Sequence, residues 1–169
     1  LTFLRGELGL SSGLVKRLKW QNAFYLDGVP VHTDARVLPG QKITVKIEEA
    51  PEGFLPQTLP IDILYEDESL IALDKPAGQL VHPSPRKNDG TLANALLGYY
   101  AETNQPCGIH PVTRLDRDTF GVVLLAKNAH IHAKLCQMMK DGQIRKTYLA
   151  AVYGCPKERA GEISLPIYK

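Results

Sequence analysis

The sequence predicts an α+β protein made of two units, and three observations lead to that class. Short strand signals of period two occur together with amphipathic helical stretches along the 169 residues. Residues 48–60 contain three prolines, one glycine and three glutamates, which is the composition of a linker. Hydrophobic residues make up 44% and charged residues 22%, and these near-average values exclude a mostly disordered chain.

The first unit covers residues 1–49 and is predicted to contain one short amphipathic helix and a small sheet. Ser11 or Ser12 can cap a helix that runs to residue 19. Its apolar side chains lie one turn apart, and its basic side chains point elsewhere: Lys16, Arg17 and Lys19. Residues 24–31 carry an Asp-Gly hairpin signal, and residues 42–47 alternate as a half-buried strand does.

The second unit follows a linker over residues 50–60 and covers residues 61–169. Its predicted elements are strands over 61–65 and 70–73, a helix begun by Thr91, a buried strand over 121–126, a helix over 128–140 that ends before Gly142, and a strand over 147–153. Residues 161–169 resemble a strand that enters a further element, so we expect this unit to be incomplete. The linker composition predicts that the first unit can reorient.

Charge and composition restrict the cellular compartment and the partners that we expect for the protein. The net charge of +2 averages +2 over residues 1–50, −5 over residues 51–106 and +5 over residues 107–169. The longest aliphatic run, residues 122–126, is far shorter than the roughly 20 residues of a membrane helix, and no basic-then-apolar leader follows Leu1. Three cysteines form no C-x-x-C pair. We therefore expect a cytoplasmic protein without a membrane partner.

The densest polar cluster is residues 114–119, with the sequence RLDRDT. An extended backbone would place Arg114, Asp116 and Asp118 on one face, directly before the buried strand. A carboxylate beside guanidinium groups stays ionised, and the guanidinium groups can reach a phosphate. The same residues also fit a solvated turn with weak ion pairs, and composition alone leaves both interpretations open.

Residues 114–119 followed by Gly121 resemble the central motif of the RluA-type pseudouridine synthases. Residues 75–78 (KPAG) with 81–83 (VHP) resemble the upstream motif, and residues 145–150 (RKTYLA) the downstream Lys-x-Tyr-x-Ala motif. The first fifty residues resemble a small RNA-binding domain shared with a small-subunit ribosomal protein. The implied architecture is this RNA-binding module followed by part of a mixed, mainly antiparallel-sheet catalytic domain.

The resemblance implies isomerisation of uridine to pseudouridine in structured ribosomal or transfer RNA, without a metal or redox cofactor. It implies that Asp116 is the nucleophile, that Arg114 flips the target base and that Tyr148 stacks on the flipped uracil. The predicted RNA contacts are Lys16, Arg17, Lys19, Lys75, His82 and Arg117. We expect the enzyme to be a monomer.

Three alternatives remain. The family has a later basic partner for the catalytic aspartate, and no match occurs before Lys169, so the chain could be a non-catalytic RNA-binding protein with a degenerate or truncated synthase domain. Asp116 and Asp118 could bind a divalent ion in a nuclease, but the flanking arginines disfavour a cation. His130, His132 and Cys136 could bind zinc, but only 132 and 136 share a helix face.

The sequence also departs from the family pattern on either side of the cluster, with Thr113 in place of His and Phe120 in place of Ser.

Overall fold

The computed structural model describes residues 2–49 and 52–166. The helices are α1 (Thr2–Gly6), α2 (Ser12–Trp20), α3 (Leu92–Glu102) and α4 (Ala129–Lys140). The strands are β1 (Phe24–Leu26), β2 (Val29–Pro30), β3 (Ile43–Val45), β4 (Asp62–Glu66), β5 (Leu70–Lys75), β6 (His110–Pro111) and β7 (Gly121–Ala126). None of the helices in this described part of the chain has the length and apolarity needed to cross a bilayer.

The first sheet has three antiparallel strands in the order β2-β1-β3. Helix α2 packs against it and begins where the sequence predicts, because the Ser11 Oγ accepts a hydrogen bond of 3.2 Å from the Leu14 N–H. Val15 and Leu18 are buried on one side of α2 and form a core with Phe24 of β1. The predicted helix, hairpin and strand are therefore all present, with a shorter β3 than the pattern indicated.

The second sheet has four strands in the order β4-β5-β7-β6, and each neighbouring pair is antiparallel. Its central strands place Leu73 opposite Val123, and both side chains are fully buried under α3. Helix α3 starts with a capping box between Thr91 and Asn94, as its sequence signal predicts. The other face of β7 packs against α4 through a smaller core that includes Leu135. Strand β7 is therefore held in the middle of the second sheet by packing on both of its faces.

The described linker residues lie along the second unit rather than free in solvent. The Asn94 side chain donates a 2.8 Å hydrogen bond to the Leu55 carbonyl, and the Gly90 N–H donates one of 2.6 Å to the Gln57 side chain. A Cβ atom on Gly98 of α3 would overlap the Gln57 carbonyl, so the glycine allows this close approach. The linker composition alone suggested freedom, but these contacts hold the linker against α3.

The predicted strand over residues 147–153 is wrong. Residues 143–166 contain no helix or strand, and Leu149 and Tyr153 are fully exposed. A strand needs a partner for its backbone groups, and no strand of the described chain pairs with this segment. Ile163 and Leu165 are also exposed. A further strand is predicted over residues 161–169, and its last three positions, 167–169, lie outside the described residues.

Candidate active site

The RLDRDT cluster lies in the loop between β6 and β7, and the start of this loop is anchored to β7. The Thr113 Oγ1 accepts a 2.9 Å hydrogen bond from the Leu124 N–H, and the Val112 N–H donates one of 2.8 Å to the Leu124 carbonyl. Leu115 packs against the main core. The departure from the family pattern at Thr113 therefore supplies a backbone anchor. The loop begins from a fixed point, as expected for a segment that precedes a buried strand.

The predicted alternation holds only for the first half of the cluster. Arg114 and Asp116 are exposed, while Leu115 between them is partly buried. A turn at residues 117–118 then ends the extended backbone, with a 3.2 Å hydrogen bond from the Thr119 N–H to the Asp116 carbonyl. Because the backbone turns there, Asp118 does not continue the face formed by Arg114 and Asp116. The prediction of three polar side chains on one extended face is wrong at Asp118.

Lys75 joins the upstream and central motifs. Its Nζ donates hydrogen bonds to three carbonyls: Pro76 at 2.8 Å, Gln79 at 2.8 Å and Arg117 at 3.0 Å. The Gly78 N–H also donates to the Arg117 carbonyl, at 2.8 Å. Two loops that are forty residues apart in sequence are therefore tied at the residue that follows Asp116.

Direct RNA contact by Lys75 does not agree with this geometry. The side chain is fully buried, and all three N–H donors of the ammonium group are in use. Burial lowers the pKa of Lys75, and the Asp118 carboxylate opposes that shift. The physical reason for the error is strand alternation, because Lys75 follows the buried Ile71 and Leu73 on the inward face of β5. Lys75 holds the loop instead of facing solvent.

Arg114 and Asp116 are exposed and unpaired. Among residues 2–49 and 52–166, neither side chain has a hydrogen-bond or ion-pair partner. Arg117 and Asp118 instead form a 3.3 Å pair in which the side chains are 65% and 79% exposed, so this pair contributes little stability. The carboxylate that resembles the family nucleophile thus lies free on an anchored loop.

No hydrogen bond of the described chain joins Tyr148 to Asp116. Tyr148 lies in the irregular segment over residues 143–166, is 60% exposed and makes no hydrogen bond within the described chain. His82 packs edge-on against Phe54, with ring centroids 5.1 Å apart, and remains exposed. The roles predicted for Tyr148 and His82 stay predictions.

The basic residues of α2 form an exposed surface. Lys16, Arg17 and Lys19 all face solvent, and Trp20 beside them is 82% exposed. Phe24 by contrast is buried in the core of the first unit. An exposed aromatic ring next to cations is typical of surfaces that contact nucleic acid. The RNA contacts predicted for this helix are therefore sterically open.

The described residues contain no group of three or more His, Cys, Asp and Glu side chains placed to hold a metal ion. His132 and Cys136 do share a face of α4, as predicted, with 3.4 Å between Nε2 and Sγ. The same His132 nitrogen lies 3.2 Å from the Pro111 carbonyl. These contacts make His132 a link between α4 and β6.

Sequence comparison identifies the family. Residues 69–169 match the family model described as RNA pseudouridylate synthase, and this range contains both the β5–β7 sheet core and the anchored loop. The chain belongs to this family.

Relatives match most of the chain, including the first unit. An uncharacterized RNA pseudouridine synthase of Bacillus subtilis, YjbO, is 33% identical over 96% of this chain and 58% of its own length. A protein of Aquifex aeolicus with the same description is 35% identical, over 93% of this chain and 51% of its own length. Ribosomal large subunit pseudouridine synthase D of Pseudomonas aeruginosa is 37% identical over 84% of this chain and 44% of its own length. The chain thus spans about half the length of the curated relatives it matches.

A solved structure of human RNA Pseudouridylate Synthase Domain Containing 4 aligns with 48% of this chain and 30% of its own, at 24% identity and a TM-score of 0.40. Family membership rests on the sequence matches.

Proposed function

We propose that the complete protein isomerises specific uridines to pseudouridine in structured RNA, with Asp116 as the nucleophile. The observation that carries this proposal is the Asp116 side chain, which is exposed and unpaired on a loop anchored from both sides. Rigid presentation of a reactive group is what catalysis requires of a scaffold. Ribosomal RNA is the proposed substrate class, because several relatives are named as ribosomal large subunit pseudouridine synthases.

The proposed chemistry uses side-chain types that the chain supplies. The bond between C1′ and N1 of the uridine breaks, the uracil reattaches to C1′ through C5, N1 gains a proton and C5 loses one. Asp116 attacks the nucleotide, and Arg114, exposed beside it, occupies the place of the flipped base. Tyr148 is proposed to stack on the uracil.

The two units are proposed to divide the work. Residues 1–49 would form the small RNA-binding module, residues 50–60 the linker, and residues 61–169 the first part of the catalytic domain. The exposed basic surface of α2 supports RNA binding by Lys16, Arg17 and Lys19. Arg117 is proposed to contact RNA near the target base, because it is largely exposed and only weakly paired.

The first test is the substitution Asp116→Ala in the complete protein. We expect tritium release from RNA containing 5-tritiated uridine to disappear, because the proposed nucleophile is removed, while RNA affinity is retained. Asp89→Ala removes an exposed carboxylate elsewhere in the same unit and should leave the release unchanged. Tritium release that persists in Asp116→Ala would show that another residue is the nucleophile.

The alternative is an RNA-binding protein without activity, and one observation favours it. The resemblance implies a basic partner for the catalytic aspartate, and no basic side chain of the described residues pairs with Asp116. This alternative predicts that the wild-type protein binds RNA but releases no tritium under any condition. The same assay therefore separates the two functions.

A further inference from the structure

A groove of about 390 Å³ lies between α2 of the first unit and α4 of the second. Arg17 lines it from α2, and His130 and Lys134 line it from α4. No Asp or Glu side chain is among the described residues that line it. We propose that this groove binds the sugar–phosphate backbone of RNA outside the active-site loop, an inference that rests on the proposed RNA substrate.

The charge of the groove selects a polyanion. Arg17 and Lys134 are exposed, and neither is in an ion pair within the described chain. Burial and then the Lys134 ammonium lower the pKa of His130, and only the second of these causes reflects the positive charge of this wall. Another surface cavity differs in charge, because three acidic residues and one lysine line it: Glu66, Asp67, Glu68 and Lys127. Phosphate groups should therefore bind in the groove between α2 and α4 rather than in the more acidic cavity.

The shape of the groove also fits a nucleic-acid backbone. Its volume is at the lower end of the range that holds a small organic ligand, so a nucleotide-sized group can enter. The lining at the start of α2 is small, with Ser11 and Gly13, and the positive end of the helix dipole adds to the field. The Lys134 stem lies close to Gly9, since a Cβ on Gly9 would be 3.7 Å from Lys134 Cε, an ordinary van der Waals distance.

The inference makes the two units act as one RNA-binding surface. A backbone that runs through the groove contacts a cation from each unit, so each cation should contribute to the same binding event. Removing one phosphate contact lowers affinity by roughly 3- to 10-fold at 0.1 M salt, and lowers the slope of log K against log salt by about 0.7 to 0.9.

The test measures RNA affinity across a salt series in the complete protein, by anisotropy of a labelled structured ribosomal RNA fragment. We compare Arg17→Gln, Lys134→Gln and the double variant in an Asp116→Ala background. Each single variant should lose roughly 3- to 10-fold in affinity, and the double variant should lose about twice as much salt slope as either. Lys140→Gln removes an exposed lysine of α4 that does not line the groove, and should have no effect.

The outcomes separate this inference from the proposed function. If Lys134→Gln and Lys140→Gln have equal affinity and equal salt slope, the proposal that the groove binds RNA is wrong. The proposed enzymatic function would still stand, provided that the wild type releases tritium. Failure of the Asp116→Ala parent to bind RNA at all would overturn both. Thermal unfolding of each variant, expected within about 2 °C of the parent, shows that a loss of affinity is not a loss of fold.

Discussion

At the scale of single residues, the candidate site depends on a buried lysine, Lys75, whose ammonium group is bonded within the protein. Lys75→Met keeps most of the side-chain volume but leaves three carbonyls without the ammonium donor. An unsatisfied buried polar group costs about 1–3 kcal/mol, so the free energy of unfolding in urea should fall by at least that amount. Tritium release should also fall, because the loop that carries Asp116 keeps only the Gly78 hydrogen bond at Arg117 and loses the one from Lys75.

The control for this variant is Lys140→Met, an exposed lysine of α4 without a hydrogen bond in the described chain. It should change neither stability nor tritium release. The opposite pattern for Lys75→Met, with unchanged stability and weaker RNA binding, would support the RNA contact that its position in the motif first suggested.

The residue pattern contained the information that corrects Lys75. Ile71, Leu73 and Lys75 occupy every second position of β5, so period two alone places the lysine on the buried face. The motif is enough to predict Asp116 as a site residue, but not to predict that its carboxylate has no hydrogen-bond or ion-pair partner. Whether a carboxylate is paired depends on residues far away in sequence, and the hydrogen bond of Thr113 to Leu124 across the loop has no local signal.

At the scale of elements, a partly buried ion pair joins Glu66, at the end of β4, to Lys127, which directly follows β7. Glu66 accepts hydrogen bonds from Lys127 at 2.7 Å, Tyr99 at 2.7 Å and Gln105 at 3.1 Å. Burial alone would raise the pKa of Glu66, but the three hydrogen bonds outweigh it and lower the pKa below its usual 4.5. The ionised carboxylate therefore stabilises the fold above about pH 4.5, and this contribution is lost as the pH falls through the lowered pKa.

The substitution Glu66→Gln should remove this contribution. The free energy of unfolding should fall by about 1–3 kcal/mol at pH 7, because Lys127 is buried and loses its charged partner. The difference from wild type should shrink toward pH 3, where the wild-type carboxyl is protonated. Urea unfolding at several pH values measures both effects. Glu68→Gln, an exposed glutamate of the same turn, is the matched control, and equal pH profiles for the two variants would contradict the prediction.

Elements with their own local signals could be predicted, and those that need a partner could not. Strand β7 is found over residues 121–126 as predicted, because its apolar run is central in the sheet. Helix α4 starts after its cap Asn128 and ends before Gly142. Residues 147–153 carry similar apolar side chains but lack a neighbouring strand in the described chain. Period two shows which face a strand would bury, and says nothing about whether a partner is available.

At the scale of the whole molecule, one glutamate connects the two units and the groove. Glu49 is the last residue of the first unit, and its Oε2 lies 2.9 Å from Nε2 of His110 in β6. Its other oxygen accepts a 3.2 Å hydrogen bond from the Ala129 N–H at the start of α4. Ala129 and His130 line the proposed RNA groove. Glu49 therefore fixes the distance between the first unit and one wall of that groove.

The substitution Glu49→Gln should weaken this connection without unfolding either core. Hydrogen exchange of the Ala129 amide should become at least several-fold faster, because the neutral side chain is a weaker acceptor, while amides in the core around Leu18 and Leu73 keep their protection. RNA affinity should fall with it, since one wall of the groove is less well positioned. Glu48→Gln changes the exposed neighbour and should leave both measurements at wild-type values. Unchanged exchange at Ala129 in Glu49→Gln would show that Glu49 does not position the start of α4.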